Sequence, residues 1–381
     1  MFICRIISVA AALCVCIASV PSLAVRALSA EDISAPSAVL MEAETGRVLY
    51  EKAPHEIRAC ASVTKVMTLI LVMEAIDSGR LKWEDKVITS AHAASMGGSD
   101  IWLEQGETMT VDEMVKAVTV ASANDAAVAL AETVCGTEEE FVRKMNEKAQ
   151  SLGMKDTVFK NCNGLDEDGH VTSAYDVALM SRELIKHKDI FRYSGIWMDE
   201  LRGGKTQLVN TNKLLKSYKG ITGLKTGTTS KAGSCISATA ERDGLSLIAV
   251  VLGSSTGKER FSDASKLLDH GFANYETYLP EVPDEAQGEM TVTGGMTGSV
   301  RISACVDKPV LIEKGAGEKA EAETILPGSI EAPVSKGDVI GKLIYKSGGK
   351  QIAEYPIAAA GDAEQINYSG VLGVFLKGLA G

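Results

Sequence analysis

The hydrophobic positions between residues 59 and 79 predict a buried helix. From Val63 onward, apolar side chains fall on nearly every side until the segment ends near Gly79. Such a pattern is typical of a helix inside a domain core rather than on its surface. The segment nevertheless opens with Ser62 and Lys65, and a lysine is rarely buried unless it is paired or used. The start of this helix is therefore a candidate functional position.

Around this helix, the pattern predicts strands at both ends of a first domain and helices between them. Residues 37–52 alternate and turn at 44–46, which is typical of a β-hairpin. Two further strands are joined by Arg242-Asp243-Gly244, a hairpin signal. The predicted helices are 110–120, 125–135, 137–153, 173–187 and 259–276, with caps at Thr110 (a capping box with Glu113), Thr137 and Ser173. This order predicts an α/β (α+β) fold, a mixed sheet flanked by helices.

A second, smaller domain is predicted after a polar linker. Pro280 and Pro283 punctuate the linker. Short β-like runs divided by glycines follow, from about residue 289 to residue 360, and they predict a small all-β antiparallel sandwich. We therefore place a first domain at 31–277 and a β-rich domain at 284–365.

Residues 1–30 have the layout of a secretory signal peptide. One early arginine, Arg5, precedes an apolar run from Ile6 to about Ala24, and small residues follow. The alternative is an uncleaved membrane anchor, because the apolar run approaches spanning length. Under either interpretation the rest of the chain acts outside the cytoplasm.

The last residues, 367–381, predict an amphipathic helix that lies on a membrane surface. Its apolar positions share roughly one helical stripe: Val371, Leu372, Phe375, Leu376 and Leu379. A helix packed on the sandwich, or a frayed tail, is the alternative.

Charge and cysteine content exclude some functions. Without residues 1–30 the chain has 37 basic and 50 acidic residues, a net charge of −13. This charge argues against nucleic acid as a partner and against purely electrostatic binding to anionic lipid. Five cysteines remain, without a CxxC pair, so we predict neither a metal site nor another cofactor.

Ser62 and Lys65 are suited to nucleophilic chemistry. At positions i and i+3 they share one helix face. A serine hydroxyl is a poor nucleophile until a base removes its proton, and burial lowers the pKa of a lysine. The five histidines have no triad context. Ser62 is therefore a candidate nucleophile, and Lys65 is its candidate general base. S-x-x-K also occurs at Ser255 and Ser347, without a following apolar helix.

Two further motifs, each unique in the chain, follow. Ser122-Ala123-Asn124 falls between two predicted helices, so that Ser122 can relay a proton and Asn124 can hold a substrate amide. Lys225-Thr226-Gly227 precedes the strand hairpin. It offers a positive charge, a hydroxyl and a glycine that lets a substrate backbone approach closely.

The set S-x-x-K, S-x-N and K-T-G in this order is known from penicillin-binding proteins and β-lactamases. The chain resembles the low-molecular-mass penicillin-binding proteins, the serine-type D-alanyl-D-alanine carboxypeptidases, over residues 31–277, and the β-rich tail fits as well. The resemblance implies that Ser62 attacks the bond between two terminal D-alanines of a peptidoglycan stem pentapeptide. D-alanine would leave, water would hydrolyse the acyl-enzyme, and β-lactams would acylate the same serine.

The resemblance also implies roles outside the three motifs. The backbone N–H groups of Ser62 and Thr228 would form an oxyanion hole, and Arg260 would pair with the substrate's terminal carboxylate. Thr228 stands where other relatives have histidine. Two further departures put Cys60 and Cys162 near the site; a disulfide between them is compatible with this placement, and free thiols are the alternative.

Three other functions remain open. A D,D-endopeptidase of the same family would use the same residues to cut cross-links. A class A β-lactamase needs a glutamate in its loop, where Glu167 lacks the usual flanking pattern, and such an enzyme carries no β-rich tail. A non-catalytic cell-wall binder would not need the intact set of motifs.

Overall fold

The computed structural model describes residues 28–372. Its helices are α1 Lys65–Asp77, α2 Ala91–Ala94, α3 Val111–Lys116, α4 Asn124–Cys135, α5 Glu138–Ser151, α6 Ala174–Leu184, α7 Phe191–Ser194, α8 Leu214–Ser217 and α9 Gly257–Asn274. Its strands are β1 Ser37–Glu42, β2 Val48–Lys52, β3 Lys86–Ile88, β4 Thr108–Thr110, β5 Met198–Leu201, β6 Thr206–Val209, β7 Ile221–Thr229, β8 Gly233–Arg242, β9 Leu245–Ser254, β10 Tyr275–Tyr278, β11 Gln287–Thr293, β12 Ser299–Ala304, β13 Val310–Glu313, β14 Ala320–Ile325, β15 Ile330–Glu331, β16 Val339–Ser347 and β17 Lys350–Ala359.

The predicted helix boundaries agree closely with these elements. The capping box of Thr110 and Glu113 begins α3, and the side chains of Thr137 and Ser173 cap α5 and α6. The buried helix begins differently from the prediction, because a 3-10 turn, Ala61–Thr64, precedes α1. Ser62 therefore lies in a tight turn at the mouth of the helix, one turn before its regular part.

A five-stranded sheet in the order β2-β1-β9-β8-β7 forms the centre of the first domain. The predicted fold class is confirmed, but the prediction of a mixed sheet is wrong in one respect, since every neighbouring pair in this sheet is antiparallel. The reason is that β1–β2, β7–β8 and β8–β9 are hairpins, which pair antiparallel. The remaining pair joins β1 to β9 from a distant part of the chain, again antiparallel.

Helices cover both faces of this sheet. Side chains alternate along each strand, so Val39 and Met41 join the core around α1, α4 and α6, whereas Ala38 and Leu40 join a core against α9. Because α1 lies inside the first of these cores, its residues from Lys65 to Met73 are all buried. The helix is therefore a rigid support for whatever its first turn carries.

The C-terminal residues form a six-stranded sheet in the order β14-β16-β17-β12-β11-β15, with its own apolar core. Its pairs are antiparallel except β11–β15, which is parallel and short. The strand that directly follows α9, β10, pairs with β13 of this region. The predicted boundary at residue 277 therefore falls within β10, and the domain limits stay predictions.

The two terminal predictions fall largely outside the described residues. The signal segment 1–30 is described only from Leu28 onward, and the terminal helix 367–381 only up to Leu372. Within the described part, Tyr368 is 87% exposed and Val371 and Leu372 are also exposed. Between residues 28 and 372 there is no helix that is both long and apolar enough to span a membrane.

Candidate active site

Lys65 is fully buried, and its amino group joins three separate segments of the chain. Its Nζ lies 3.0 Å from Ser62 Oγ, 2.5 Å from Asn124 Oδ1 and 2.7 Å from the backbone oxygen of Asn163. The two amide oxygens can only accept hydrogen bonds, whereas the serine hydroxyl can donate or accept. A charged lysine can donate to all three oxygens, whereas a neutral lysine can donate to the two amide oxygens and accept from the Ser62 hydroxyl.

Burial lowers the pKa of Lys65 to about 7, because the charged form loses its hydration. Negative charge on Cys162, Asp100 or Asp125 would act against this effect and raise the pKa of Lys65. Burial outweighs them. Near neutral pH a substantial fraction of Lys65 is therefore in the form that can remove a proton from Ser62.

The turn Ser122–Asn124 connects two helices, as predicted. A π-helical segment, Ala117–Ala121, ends at Ser122, whose backbone is left-handed at φ 63°, and α4 begins at Asn124. Asn124 is held by a backbone hydrogen bond to Ser99 and by its Nδ2 on the oxygen of Gly97, both 2.6 Å. Its Oδ1 therefore points at Lys65.

Ser122 is 3% exposed at this turn. Among the hydrogen bonds of the described residues, none joins its hydroxyl to Lys65 or Ser62. Its role as a proton relay stays a prediction.

Strand β7 carries the third motif, Lys225-Thr226-Gly227. Lys225 is 2% exposed, and its Nζ donates to the backbone oxygen of Thr226 at 2.9 Å. The Thr226 hydroxyl lies 2.6 Å from that of Thr211. Burial holds the pKa of Lys225 well below its ordinary value, and the charges of Lys65 and Arg260 lower it further. Three basic side chains thus lie close together.

Two glycines pack against the backbone at Ser62. A Cβ on Gly227 would lie 2.6 Å from the oxygen of Cys60 and 2.8 Å from the Ser62 nitrogen. A Cβ on Gly164 would lie 2.0 Å from the oxygen of Ala61, at a φ of +87°. The structure thus gives Gly227 a role that the sequence did not indicate, since β7 packs against the turn that bears Ser62.

Arg260, in the first turn of α9, contacts the end of β7, and it has no counter-ion among residues 28–372. Its Nη1 donates to the oxygens of Gly227 and Cys235 and to the Thr228 hydroxyl, at 3.0 to 3.2 Å. Its Nε is buried without a partner, and its guanidinium lies over the Phe261 ring. Burial lowers the pKa of Arg260.

The cluster of the three basic side chains Lys65, Lys225 and Arg260 is therefore electrostatically unbalanced. Among the described residues, no carboxylate forms an ion pair with Lys65, Lys225 or Arg260. Buried charges are normally paired. A ligand that supplies a carboxylate beside Thr228 would complete the site.

The cysteines near the site are free thiols, so a Cys60–Cys162 disulfide is not formed. Cys60 Sγ lies 3.4 Å from the hydroxyl of Thr64, which in turn lies 2.8 Å from His170 Nε2. Burial raises the pKa of the Cys60 thiol to about 12, so the group is a packing residue and not a reactive one.

Three residues of the site were missed by the sequence analysis. The backbone oxygen of Asn163 anchors Lys65, Thr211 anchors Thr226, and Asn212 holds the oxygen of Gly223 at 3.2 Å. Backbone oxygens and hydroxyls in loops carry no pattern of their own.

A buried serine–lysine pair beside a basic strand, within this fold, defines a serine hydrolase of the penicillin-binding type. Residues 24–256 match the sequence profile of the D-alanyl-D-alanine carboxypeptidase family. Residues 275–365 match that of the penicillin-binding protein 5 C-terminal domain. The chain belongs to the D-alanyl-D-alanine carboxypeptidase family, which confirms the predicted resemblance and enzyme class.

Individual proteins similar to this chain belong to the same family. D-alanyl-D-alanine carboxypeptidase DacF of Bacillus subtilis is 46% identical over 338 residues, 88% of this chain and 87% of that protein. The crystal structure of penicillin-binding protein 5 from Haemophilus influenzae is 32% identical, with a TM-score of 0.77 over 89% of this chain and 100% of that one. Ampicillin-bound penicillin-binding protein D2 from Listeria monocytogenes is 36% identical, with a TM-score of 0.58 over 63% and 98%.

Gly164→Ala should slow labelling of the protein by a fluorescent penicillin at least about tenfold, equivalent to about 1.4 kcal/mol in the barrier. The added methyl group would displace the Ala61–Ser62 backbone. Gly169→Ala is the matched control, since Gly169 has a similar φ of +79° but its Cβ would meet only the flexible Lys160 side chain at 3.3 Å. Equal labelling rates in the two variants would show that the contact at Ser62 is unimportant.

Proposed function

We propose that the protein removes the terminal D-alanine from peptidoglycan stem pentapeptides through an acyl-enzyme on Ser62. The observation that carries this proposal is the 3.0 Å contact between Ser62 Oγ and the buried Nζ of Lys65. The family supplies the substrate class, and the residue roles below are part of the proposal.

Acylation begins with proton transfer from Ser62 to neutral Lys65. Ser62 Oγ attacks the carbonyl carbon of the D-alanyl-D-alanine bond, and negative charge develops on the carbonyl oxygen. The N–H groups of Ser62 and Thr228 receive that charge; losing one such donor typically costs about 2.7–4 kcal/mol. Lys65 then returns the proton to the leaving amine through Ser122, and D-alanine departs.

The unbalanced positive charge accounts for carboxypeptidase specificity. The free carboxylate of the last D-alanine would lie beside the hydroxyls of Thr226 and Thr228, between Lys225 and Arg260. A planar guanidinium suits a carboxylate. Asn124 would hold an amide of the stem peptide from the other wall, while its Oδ1 keeps Lys65 in position.

Deacylation requires water at the acyl-enzyme. In class A β-lactamases a loop glutamate activates that water. Here Glu167 is exposed, and its carboxylate accepts a hydrogen bond from Asn161 Nδ2 at 3.1 Å. This position favours a peptidase that β-lactams inhibit over a β-lactamase that destroys them.

We also propose that the protein is exported and works at the outer face of the cytoplasmic membrane. The apolar N-terminal segment supports export. The exposed apolar side chains of Ile366, Tyr368, Val371 and Leu372 support contact of 367–381 with the membrane surface.

Ser62→Ala should abolish both labelling by fluorescent penicillin and release of D-alanine from a stem pentapeptide, because no other group can form the acyl-enzyme. Ser347→Ala removes another S-x-x-K serine, which ends strand β16, and should leave both activities intact. Labelling that persists in Ser62→Ala would place the nucleophile elsewhere.

The same assay separates the two family activities. A carboxypeptidase releases D-alanine from the pentapeptide, whereas an endopeptidase cleaves a cross-linked dimer. Faster cleavage of the dimer by the wild-type protein would assign it to the endopeptidases.

The second-order rate of penicillin acylation should fall as pH decreases through about 7, by about tenfold for each unit below about 6. The cause is protonation of Lys65, whose pKa burial lowers to about 7. His170→Gln is the control, because burial lowers the pKa of His170 to about 4 and it stays neutral in this range. Loss of the transition in His170→Gln, or a midpoint above 9, would contradict the role of Lys65.

The double variant Val371→Asp, Leu372→Asp should lose co-sedimentation with phosphatidylcholine vesicles, because two charges would enter the apolar stripe. Val339→Asp is the control, because it changes an apolar residue of β16 that is 69% exposed but lies outside residues 367–381. This variant should bind vesicles like wild type. Undiminished binding by the double variant would exclude this stripe as the contact surface.

A further inference from the structure

Trp102 differs from the other two tryptophans of the chain. Arg192 lies over the Trp83 ring at 4.8 Å, and Lys216 lies over the Trp197 ring at 5.1 Å. Trp102 is 79% exposed, and among the described residues no ring or cation lies over its indole. A large apolar side chain so exposed and without a partner is a candidate for contact with a ligand.

The backbone that carries Trp102 is rigid and strained. Its φ of 55° is left-handed, a conformation that bulky side chains rarely adopt. The buried carboxylate of Asp125 accepts the N–H groups on both sides of it, from Ile101 at 3.1 Å and Leu103 at 3.0 Å. Ile101 and Leu103 are themselves buried, so the indole points away from the core. Strain of this kind concentrates at functional sites.

Arg202 fixes the same segment from the β5–β6 hairpin. Its guanidinium donates to the backbone oxygen of Ile101 at 2.8 Å and to that of Trp102 at 3.4 Å. It is itself held by Glu107, at 2.6 and 3.0 Å. Two charged residues, one buried and one paired, thus hold the backbone from which the exposed indole projects.

The position is tied to the active site. Asp125 directly follows Asn124, and Asn124 binds the oxygens of Gly97 and Ser99 in the same loop. Two residues separate Ser99 from Trp102, so that the chain between them spans at most about 10 Å. Movement of the backbone at Trp102 relative to Asn124 would strain these hydrogen bonds.

We propose that Trp102 is a substrate-binding residue that receives the side chain of the stem-peptide residue preceding the two D-alanines, where that side chain is a long aliphatic arm ending in an ammonium group. The inference rests on the proposed function. Substrate held at Asn124 brings that residue within reach of the indole. A tryptophan face attracts an ammonium group and an aliphatic chain, and the other two indoles of this protein both hold cations.

Acidic residues flank this position in the loop. Asp100 and Glu104 lie two residues before and after Trp102, and one carboxylate oxygen of Asp100 is buried without a partner. This distribution favours a cationic arm over an anionic one. The acidic residues distinguish the surroundings of Trp102 from the basic part of the site at Lys225 and Arg260.

The test compares two substrates that differ only at this residue, acetyl-L-lysyl-D-alanyl-D-alanine and acetyl-L-alanyl-D-alanyl-D-alanine. Trp102→Ala should lower kcat/KM for the lysyl substrate by about three- to thirtyfold, mainly through KM, and change the alanyl substrate less than about twofold. Trp102→Phe should recover part of the loss. Ile88→Ala, at a residue 67% exposed on β3, should change neither.

Three outcomes would overturn the proposal. Equal losses on both substrates would mean that Trp102 acts through the shape of the site at Asn124. No loss on either would mean that the indole does not touch substrate. A loss seen only when the peptide carries its N-acetylmuramyl sugar would assign the indole to the glycan.

A binding measurement separates this inference from the proposed reaction. In Ser62→Ala, the lysyl peptide should shift tryptophan emission to the blue as it covers the indole, and Ser62→Ala with Trp102→Phe should not show the shift. A shift in a protein whose wild type releases no D-alanine would refute the reaction and retain the binding site. Turnover by wild type without a Trp102-dependent shift would refute the binding site alone.

Discussion

The structure of the site depends on the burial of one amino group. Lys65 Nζ is shared by the turn that bears Ser62, the start of α4 at Asn124 and the loop at Asn163. Removing this lysine from water lowers its pKa, and the same burial requires each of its contacts to be satisfied. The apolar helix α1 provides the burial, while two amide oxygens provide the orientation. Reactivity and rigidity therefore have one physical cause.

Charge distinguishes the β7 side of the site from the side formed by the loop at Asn124. On the β7 side, Lys225 and Arg260 have no carboxylate partner among the residues that the structure describes, whereas Asp100 and Asp125 lie on the side of the Asn124 loop. An anionic end of a substrate is favoured beside β7, and a cationic arm is favoured beside Trp102. A peptide with a free carboxylate at one end and an ammonium group further along matches this division. The proposed orientation of the substrate thus rests on where the protein leaves charges unbalanced.

The structure departs from, or adds to, the sequence interpretation at three points. A disulfide between Cys60 and Cys162 was compatible with the chain, but Cys60 packs against Thr64 and both thiols stay free. Gly227 was predicted to let a substrate backbone approach, which stays a prediction, and the structure adds that β7 packs at Gly227 against the backbone of Ser62. The mixed sheet was inferred from element order, which does not specify how β1 enters beside β9. The contact of Gly227 with the backbone at Ser62 and the pairing of β1 with β9 join residues far apart in the chain, as a Cys60–Cys162 disulfide would have done. Local pattern has no information about such contacts.

The sequence by itself determined the elements, the fold class and the three motifs. Hydrophobic periodicity, capping residues and hairpin signals are local, and S-x-x-K placed a serine and a lysine on one helix face without any tertiary information. Only the tertiary structure decided that Lys65 meets Asn124 and Asn163 and that Arg260 has no counter-ion within the described part of the chain. It also decided that Trp102 is presented to solvent in the loop bonded to Asn124. These properties depend on the water excluded from each group and on partners supplied by distant segments. Neither quantity exists until the chain has folded.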